Sequence, residues 1–387
     1  MKRRICVVIT ARPSYSRIKT ALEAIEQHKD LELLLVVATS ALLDKYGKVV
    51  DVIRKDGFTI SETVHNLVDG ENLLVSAKTT GLGIIEFSGV FDRLKPDAVV
   101  TIADRYETVA TAIAAAYMNI PLVHIQGGEV TGNIDEKVRH AITKLSDIHF
   151  VATEKARERV IHMGEDPKKV FVTGCPSMDI VMRVLDDADV KERYDPLCKY
   201  SGVGNVLASR NDFILILQHP VTTEIGEARD QIRCTYNAVK DLPIQVYWFW
   251  PNVDAGSDAV AKTLRTIRES EEPQNIFLFK NLASDDFIRL LNSARCIVGN
   301  SSAAIREASF LGVPAINIGS RQAGRERGEN VVDVPYDSER ICQAIQEALG
   351  KNGDRKRNCL YGDGRGGAII ADLLAKVELT SNKMLQY

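Results

Sequence analysis

Short, unbroken apolar runs alternate with helix-length segments along the whole chain, and this rhythm limits the fold more than any single motif does. "RICVVIT", "LELLLVVAT", "DAVVTIAD", "PLVHIQGG" and "KVFVTG" are strand-sized and bounded by Gly, Pro or Asp. Strands that are apolar on both faces belong to a parallel sheet covered by helices on both sides. "SYSRIKTALEAIEQH" supplies one such helix, with Ile18, Leu22 and Ile25 on one face. The rhythm stops at 186–206, where "DDADVKERYDPLCKYSGVGNV" turns polar and reads as an inter-domain region. It resumes with "FILILQHP", "QVYWFWPN", "NIFLFK", "RCIVGNSS" and "PAINIG", and then the amphipathic "SERICQAIQEAL" aligns Ile341, Ile345 and Leu349. A chain of 387 residues suits two domains of about 150–200 residues each. The expected fold class is α/β: two Rossmann-like domains, over 1–185 and 207–360, facing a cleft at their strand carboxyl ends.

Composition excludes several classes of function. A net charge of −3 offers no basic excess for nucleic acid or an anionic membrane surface, so neither is expected as a partner. No apolar run approaches the roughly 20 residues of a membrane span. "MKRRICVVITARPSYSR" starts basic, but its short apolar run ends at Arg12 and Pro13, as a first strand and not a signal peptide. The seven cysteines are scattered, with no CxxC pair, which suggests neither a disulfide framework nor a zinc site. They read as reduced thiols of a cytoplasmic protein, and neither metal nor cofactor is expected.

Several strand ends carry polar side chains. "GDGRGG" at 362–367 matches GxGxxG by letter, yet it follows no strand and comes too near the C-terminus for a βαβ unit with a ribose-binding acid, so it is not read as a dinucleotide fingerprint. His124 and His149 fall inside strand patterns and read as satisfied core imidazoles. After "CIVG", the residues Asn300, Ser301 and Ser302 open a helix whose backbone N–H groups suit a phosphate. "GSRQAGRERG" adds three arginines able to form bidentate bonds to a diphosphate. "TIADRYET" puts Asp104 and Arg105 at a strand–helix junction, and "ARPSYSR" puts Arg12 and Ser16 at another. "LQHPVTTE" and "WFWPNVDAGS" do the same with His219 and Asn252. "VHIQGGEVTGNIDEKVRH" crowds Glu129, Asp135 and Glu136 around two glycines, as proton-transfer groups or as the solvated start of a helix.

Together "ARPSYS", "DRYE", "GGEVTGNIDEKVRHAITKL", "GCPSMD", "HPVTTE", "PNVDAGS", "GNSSAAIREASFLGVPAINIGSRQAGRERGENV" and "YGDG" resemble the hydrolysing UDP-N-acetylglucosamine 2-epimerases. That family includes the bacterial sialic-acid pathway enzymes and the epimerase half of the animal bifunctional epimerase–kinase. The resemblance implies a glycosyltransferase-B-like fold, with 361–387 as a C-terminal helix crossing back to the first domain. It implies UDP contacts from Arg12, Ser16, Arg105, His219, Asn252, Ser301, Ser302, Glu307 and Arg321, with Glu307 suited to ribose hydroxyls. Acid–base candidates fall at Asp104, residue 126 and Asp135, with Glu129 nearby. The implied substrate is a UDP-sugar, the implied assembly a homodimer or homotetramer.

The chain departs from the family at Gln126, where well-studied members carry Glu. An amide neither takes nor gives a proton at neutral pH. Glu129 or Asp135 covers that role, or residue 126 is a positioning group, or the preferred sugar differs, for instance a 4-amino-substituted relative of N-acetylglucosamine.

Overall fold

The computed structural model describes residues 1–387 except 71, 103–104, 132–133, 188–193, 252–255, 351–354 and 387 and the side chain of 134. Among the described residues the strands form two seven-stranded sheets, one in each of two compact units. The first unit comprises Met1–Glu129, Ile134–Asp179 and Tyr361–Tyr387; the second comprises Val130–Asn133 and Ile180–Leu360. The two sheets match the glycosyltransferase-B type of α/β fold.

The first sheet uses β1 (Arg3–Ile9), β2 (Leu31–Ala38), β3 (Ile60–Val64), β4 (Ala98–Ile102), β5 (Leu122–Ile125), β6 (Ile148–Val151) and β7 (Val170–Val172). Their order is β3-β2-β1-β4-β5-β6-β7, parallel throughout. The accompanying helices are α1 (Arg12–Gln27), α2 (Val49–Lys55), α3 (Leu73–Leu94), α4 (Thr108–Tyr117), α5 (Ile134–Leu145), α6 (Glu154–His162) and α7 (Ser177–Asp186). The five residues of β4 are all buried, as a strand covered on both faces requires. The edge strand β3 holds three polar residues, Ser61, Glu62 and Thr63, between Ile60 and Val64, and so lacked the continuous apolar signal of its neighbours.

The second sheet uses β8 (Gly202–Gly204), β9 (Phe213–Leu217), β10 (Gln245–Phe249), β11 (Ile276–Phe279), β12 (Ile297–Gly299), β13 (Ala315–Ile318) and β14 (Val331–Val334). Its order is β14-β13-β12-β9-β10-β11-β8, parallel except for β8, which runs antiparallel to β11. Part of the segment expected between the domains is thus an edge strand, made of Gly-Val-Gly and invisible to an apolar pattern. Its helices are α8 (Ala228–Val239), α9 (Ser257–Glu271), α10 (Ser284–Ser293), α11 (Ser302–Ile305), α12 (Glu307–Leu311) and α13 (Ser338–Gly350). The last helix, α14 (Gly366–Lys376), packs on α1, and Ile370, Ala371 and Leu374 join the core of the first unit.

One composition-based expectation needs correction. Helix α3 spans 22 residues with a mean hydropathy of 1.2 in its best 18-residue window, long and apolar enough to cross a membrane. Small and hydroxyl residues interleave its apolar ones, which is why no unbroken run was visible. Its buried side, including Phe87, Val90 and Phe91, packs toward α4. A Cβ on Gly83 would stand 2.9 Å from the Ala110 methyl, so glycine permits that approach.

Candidate active site

In the first sheet the chain leaves β1 toward β2 in one direction and, from β4, toward β5 in the other. Such a reversal opens a crevice at the strand carboxyl ends, the usual ligand position in open α/β sheets. Arg12 and Ser16, both half-buried, sit in the opening turns of α1 directly after β1. Arg105 follows β4, and its Nε donates to Glu107 Oε1 at 2.7 Å. Glu107 is itself buried, so at least this edge of the guanidinium holds the loop. Asp104 and Asn252 lie outside the described residues.

The loop after β5 is built by its two glycines. A Cβ on Gly127 would stand 2.9 Å from His124 Nδ1, and one on Gly128 would stand 2.3 Å from Ala156 O. Gly128 also has a φ of +74°, so its backbone excludes other residues twice over. Gln126 takes a left-handed φ of +66° although it is not glycine. Its side chain is buried and its Nε2 donates to Cys175 Sγ at 2.8 Å.

The three acids of this stretch separate by environment. Glu136 accepts from Arg139 Nη1 at 2.8 Å and stands 2.8 Å from His140 Nε2, so it is committed to its own helix. Arg139 is fully buried, and the same Nη1 donates to the backbone O of Glu129 at 2.8 Å, tying that residue to α5. Glu129 is itself buried, while Asp135 is half-exposed in the first turn of α5, where the helix dipole favours a carboxylate. Glu129 and Asp135 remain as acid–base candidates.

In the second sheet the reversal falls between β9 and β12, and His219 and Asn300 follow these two strands. They clamp each other: the His219 N–H donates to Asn300 Oδ1 and Asn300 Nδ2 donates to His219 O, both at 2.8 Å. A Cβ on Gly299 would stand 2.2 Å from Leu217 O, so only glycine lets the strand ends approach this closely. The Asn300 carbonyl in turn accepts from Arg321 Nη1 at 3.1 Å and from Gln322 Nε2 at 2.9 Å. Tyr336 Oη lies 3.5 Å from Asn300 Nδ2, and burial pushes its phenol up to about 12, so it stays neutral.

Ser301 caps α11, its Oγ accepting from the Ala303 N–H, with Ser302 as the first helical residue. The helix that opens here breaks at Arg306 into the four-residue α11 and the five-residue α12. A long dipole is therefore missing, and single N–H groups and hydroxyls are what the turn offers an anion. Glu307 opens α12, and its Oε2 is buried with no hydrogen-bond donor among the described residues.

The three arginines of "GSRQAGRERG" prove unequal. Arg325 Nη1 donates to Gln322 Oε1 at 2.8 Å, and Arg327 Nη2 donates to Gln322 O at 2.6 Å and pairs with Asp333. Both build the loop. Arg321, half-buried beside Asn300, is the one suited to a ligand. Sequence reasoning passed over Arg139, Cys175, Gln322 and Tyr336; the partners of Cys175 and Tyr336, Gln126 and Asn300, lie far away in sequence. "GDGRGG" is accounted for as well: the Gly366 and Gly367 N–H groups, opening α14, donate to the Asp179 carboxylate at 2.8 and 2.7 Å. A cavity of about 310 Å³ beneath α8 and α9, lined by Tyr236, Trp248, Leu264 and Ile276, contains none of these residues.

Two α/β units of the glycosyltransferase-B type, each with a polar cluster at its strand carboxyl ends, place the chain in a two-sheet α/β class whose ligand sites lie at those ends. Within that class the chain belongs to the UDP-N-acetylglucosamine 2-epimerase family, whose model matches residues 23–375. It is 34% identical over 98% of both chains to a hydrolysing UDP-N,N'-diacetylbacillosamine 2-epimerase of Legionella pneumophila. It is 33% identical to a UDP-N-acetylglucosamine 2-epimerase of Neisseria meningitidis, covering 91% of this chain and 89% of that one. The structure of the Methanocaldococcus jannaschii UDP-GlcNAc 2-epimerase with UDP-GlcNAc and UDP superposes with a TM-score of 0.79 at 17% identity, covering 96% and 99%.

Proposed function

We propose that this chain is a hydrolysing 2-epimerase that converts a UDP-linked 2-acetamido sugar to UDP and the free 2-epimer, supplying nonulosonic or sialic acid synthesis. The observation that carries the nucleotide part is the buried Glu307 Oε2, which lacks a donor among the described residues and fits a ribose hydroxyl. Ser301, Ser302, His219 and Arg321 follow β9, β12 and β13 and suit a diphosphate, with Asn252, Arg12, Ser16 and Arg105 as further contacts on resemblance. UDP-N-acetylglucosamine and its 4-acetamido relatives are the substrate class, and the Legionella relative favours the latter.

The chemistry follows from where charge develops. The C2 proton has no adjacent carbonyl, so its removal waits on C1–O cleavage, when the bonding pair leaves with UDP and C1 gains oxocarbenium character. Donors of the second unit stabilise that leaving diphosphate. A carboxylate of the first unit takes the C2 proton, giving a glycal. Water then adds its hydroxyl to C1, and a proton reaches C2 from the opposite face. Asp104, Glu129 and Asp135 are assigned to these proton transfers. Gln126, buried and unable to titrate, is assigned to holding the loop.

The enzyme is read as a cytoplasmic homodimer or homotetramer. Its seven free thiols and the exposed Leu74, Leu82 and Ile85 on α3 support this. NMR of a reaction in deuterated water tests the chemistry, with UDP-N-acetylglucosamine and its 4-acetamido analogue as substrates. Free sugar carrying deuterium at C2 is expected, with no metal or nicotinamide added. Product still linked to UDP would mean a non-hydrolysing epimerase, and hydrogen retained at C2 would rule out the elimination.

A further inference from the structure

Gln126 is held from a part of the chain 49 residues away. Its Nε2 donates to Cys175 Sγ at 2.8 Å, and that sulfur lies 3.0 Å from Ser177 Oγ. All three side chains are buried, Gln126 and Cys175 to 1% exposure. The sulfur's own loop is braced from behind. The Cys175 N–H donates to Tyr361 O at 2.7 Å, and a Cβ on Gly174 would stand only 3.0 Å from Gly362 Cα. On the other side, the Gln126 N–H donates to Phe150 O at 2.8 Å, continuing the β5–β6 ladder for one residue before the chain turns. The turn is the left-handed φ of +66°, which a residue with a Cβ adopts only when its surroundings impose it.

We propose that Cys175 is a positioning residue for the reaction: its sulfur, backed by Ser177, anchors Gln126 in the left-handed turn and so sets the Gly127–Gly128–Glu129 loop that presents the Glu129 carboxylate. This rests on the 2-epimerase reading above. The arrangement also accounts for an amide at 126. A buried thiol accepts a hydrogen bond from a neutral N–H donor, whereas a carboxylate in the same seat would face sulfur and a hydroxyl and pay the cost of burying its charge.

The test compares Cys175→Ala, Cys175→Ser, Gln126→Ala and the Cys175→Ala/Gln126→Ala double variant. Steady-state kinetics with the UDP-sugar are read alongside the side-chain amide signals of Gln126 in a ¹H–¹⁵N NMR spectrum. Cys175→Ala is expected to lower kcat by roughly tenfold to a hundredfold, the scale of a small misplacement of a reacting group, with KM changed far less. Cys175→Ser, which keeps an acceptor, should recover much of the loss and guards against a misfolded alanine variant. The double variant should be no slower than Gln126→Ala alone, because the two residues act as one unit. The Gln126 amide pair should shift in Cys175→Ala. Multiplying losses in the double variant, or an unmoved amide pair, would overturn the proposal. If the wild-type protein releases no sugar from any UDP-sugar, the 2-epimerase reading has failed, and the amide pair alone then decides the Cys175 anchor.

Discussion

At the scale of single residues, the proposed reading assigns most nucleotide contacts to the second unit and proton transfer to the first, and substitutions test that assignment. The Glu307 carboxylate has a buried oxygen whose desolvation is unrewarded until a donor arrives. Glu307→Gln weakens the bond a ribose hydroxyl would make, and a charged hydrogen bond of about 1.5–3 kcal/mol corresponds to roughly tenfold or more in UDP affinity. Asp135→Asn, and Asp104→Asn likewise, should leave UDP affinity intact while lowering kcat by roughly 10²-fold or more. Calorimetric titration with UDP and steady-state rates separate the two effects. A kcat loss without an affinity loss in Glu307→Gln would move it from binding to chemistry. Glu129 and Asp135 stood out as candidates because a short loop after an apolar strand crowds acids near two glycines. The inward turn of Gln126 was not, since it depends on a positive φ and on Cys175, which no spacing rule connects to it. Nor could spacing tell Arg321 from Arg325 and Arg327, because the difference lies in which of them Gln322 engages.

At the scale of elements, helix ends and short helices were the least readable parts. "GDGRGG" looks like a phosphate loop by letter, yet the N–H groups of Gly366 and Gly367 are taken by Asp179 from another segment. The helix opened at Ser302 is only four residues long before the break at Arg306, a length that the sequence reading left open. The far end of α5 is held by the C-terminal tail: Lys383 Nζ donates to Ser146 O at 2.6 Å and to Thr143 O at 3.1 Å, and pairs with Glu165 at 2.6 Å. Glu165 also accepts from Lys144 at 2.6 Å and lies 3.0 Å from the buried His149. Burial would raise the Glu165 carboxyl, but bonds from His149, Lys144 and Lys383 outweigh it and bring it down from 4.5 to about 2. Burial also lowers His149 below its ordinary 6.5. Both shifts have the same sign for stability. A depressed folded pKa contributes stability that is present above the unfolded value and is lost as pH falls toward the folded value. Thermal melts should therefore weaken from about pH 6.5 downward, and further between 4.5 and about 2. Glu165→Gln should cost about 1.5–3 kcal/mol at neutral pH, the scale of hydrogen bonds to a charged group, and should flatten the lower limb. A lower limb as steep as the wild type's would mean that Glu165 does not carry the acid sensitivity.

At the scale of the whole molecule, two sheets of the glycosyltransferase-B type follow from the repeated strand–helix rhythm, which is why the fold class was legible from end to end. What a rhythm cannot carry is the surface that stays unpaired. Helix α3 buries Phe87, Val90 and Phe91, but Leu74, Leu82 and Ile85 are 64%, 41% and 67% exposed on its other side. Spaced at 8 and 3 residues, these three fall on one helical stripe, with the exposed Gly81 allowing close approach. Large apolar side chains grouped this way mark a contact surface, and a second copy of the same helix would bury the stripe against its own kind. Ile85→Glu and Leu74→Glu should each convert the protein toward single protomers, because a charge at the centre of an isologous contact meets its own copy. Light scattering after size exclusion, across a range of protein concentrations, reads the mass directly. Sedimentation with phospholipid vesicles covers the other occupant that the length and hydropathy of α3 allow. A wild-type mass of one protomer at every concentration would remove the oligomer, and binding to vesicles abolished by Ile85→Glu would assign the stripe to lipid.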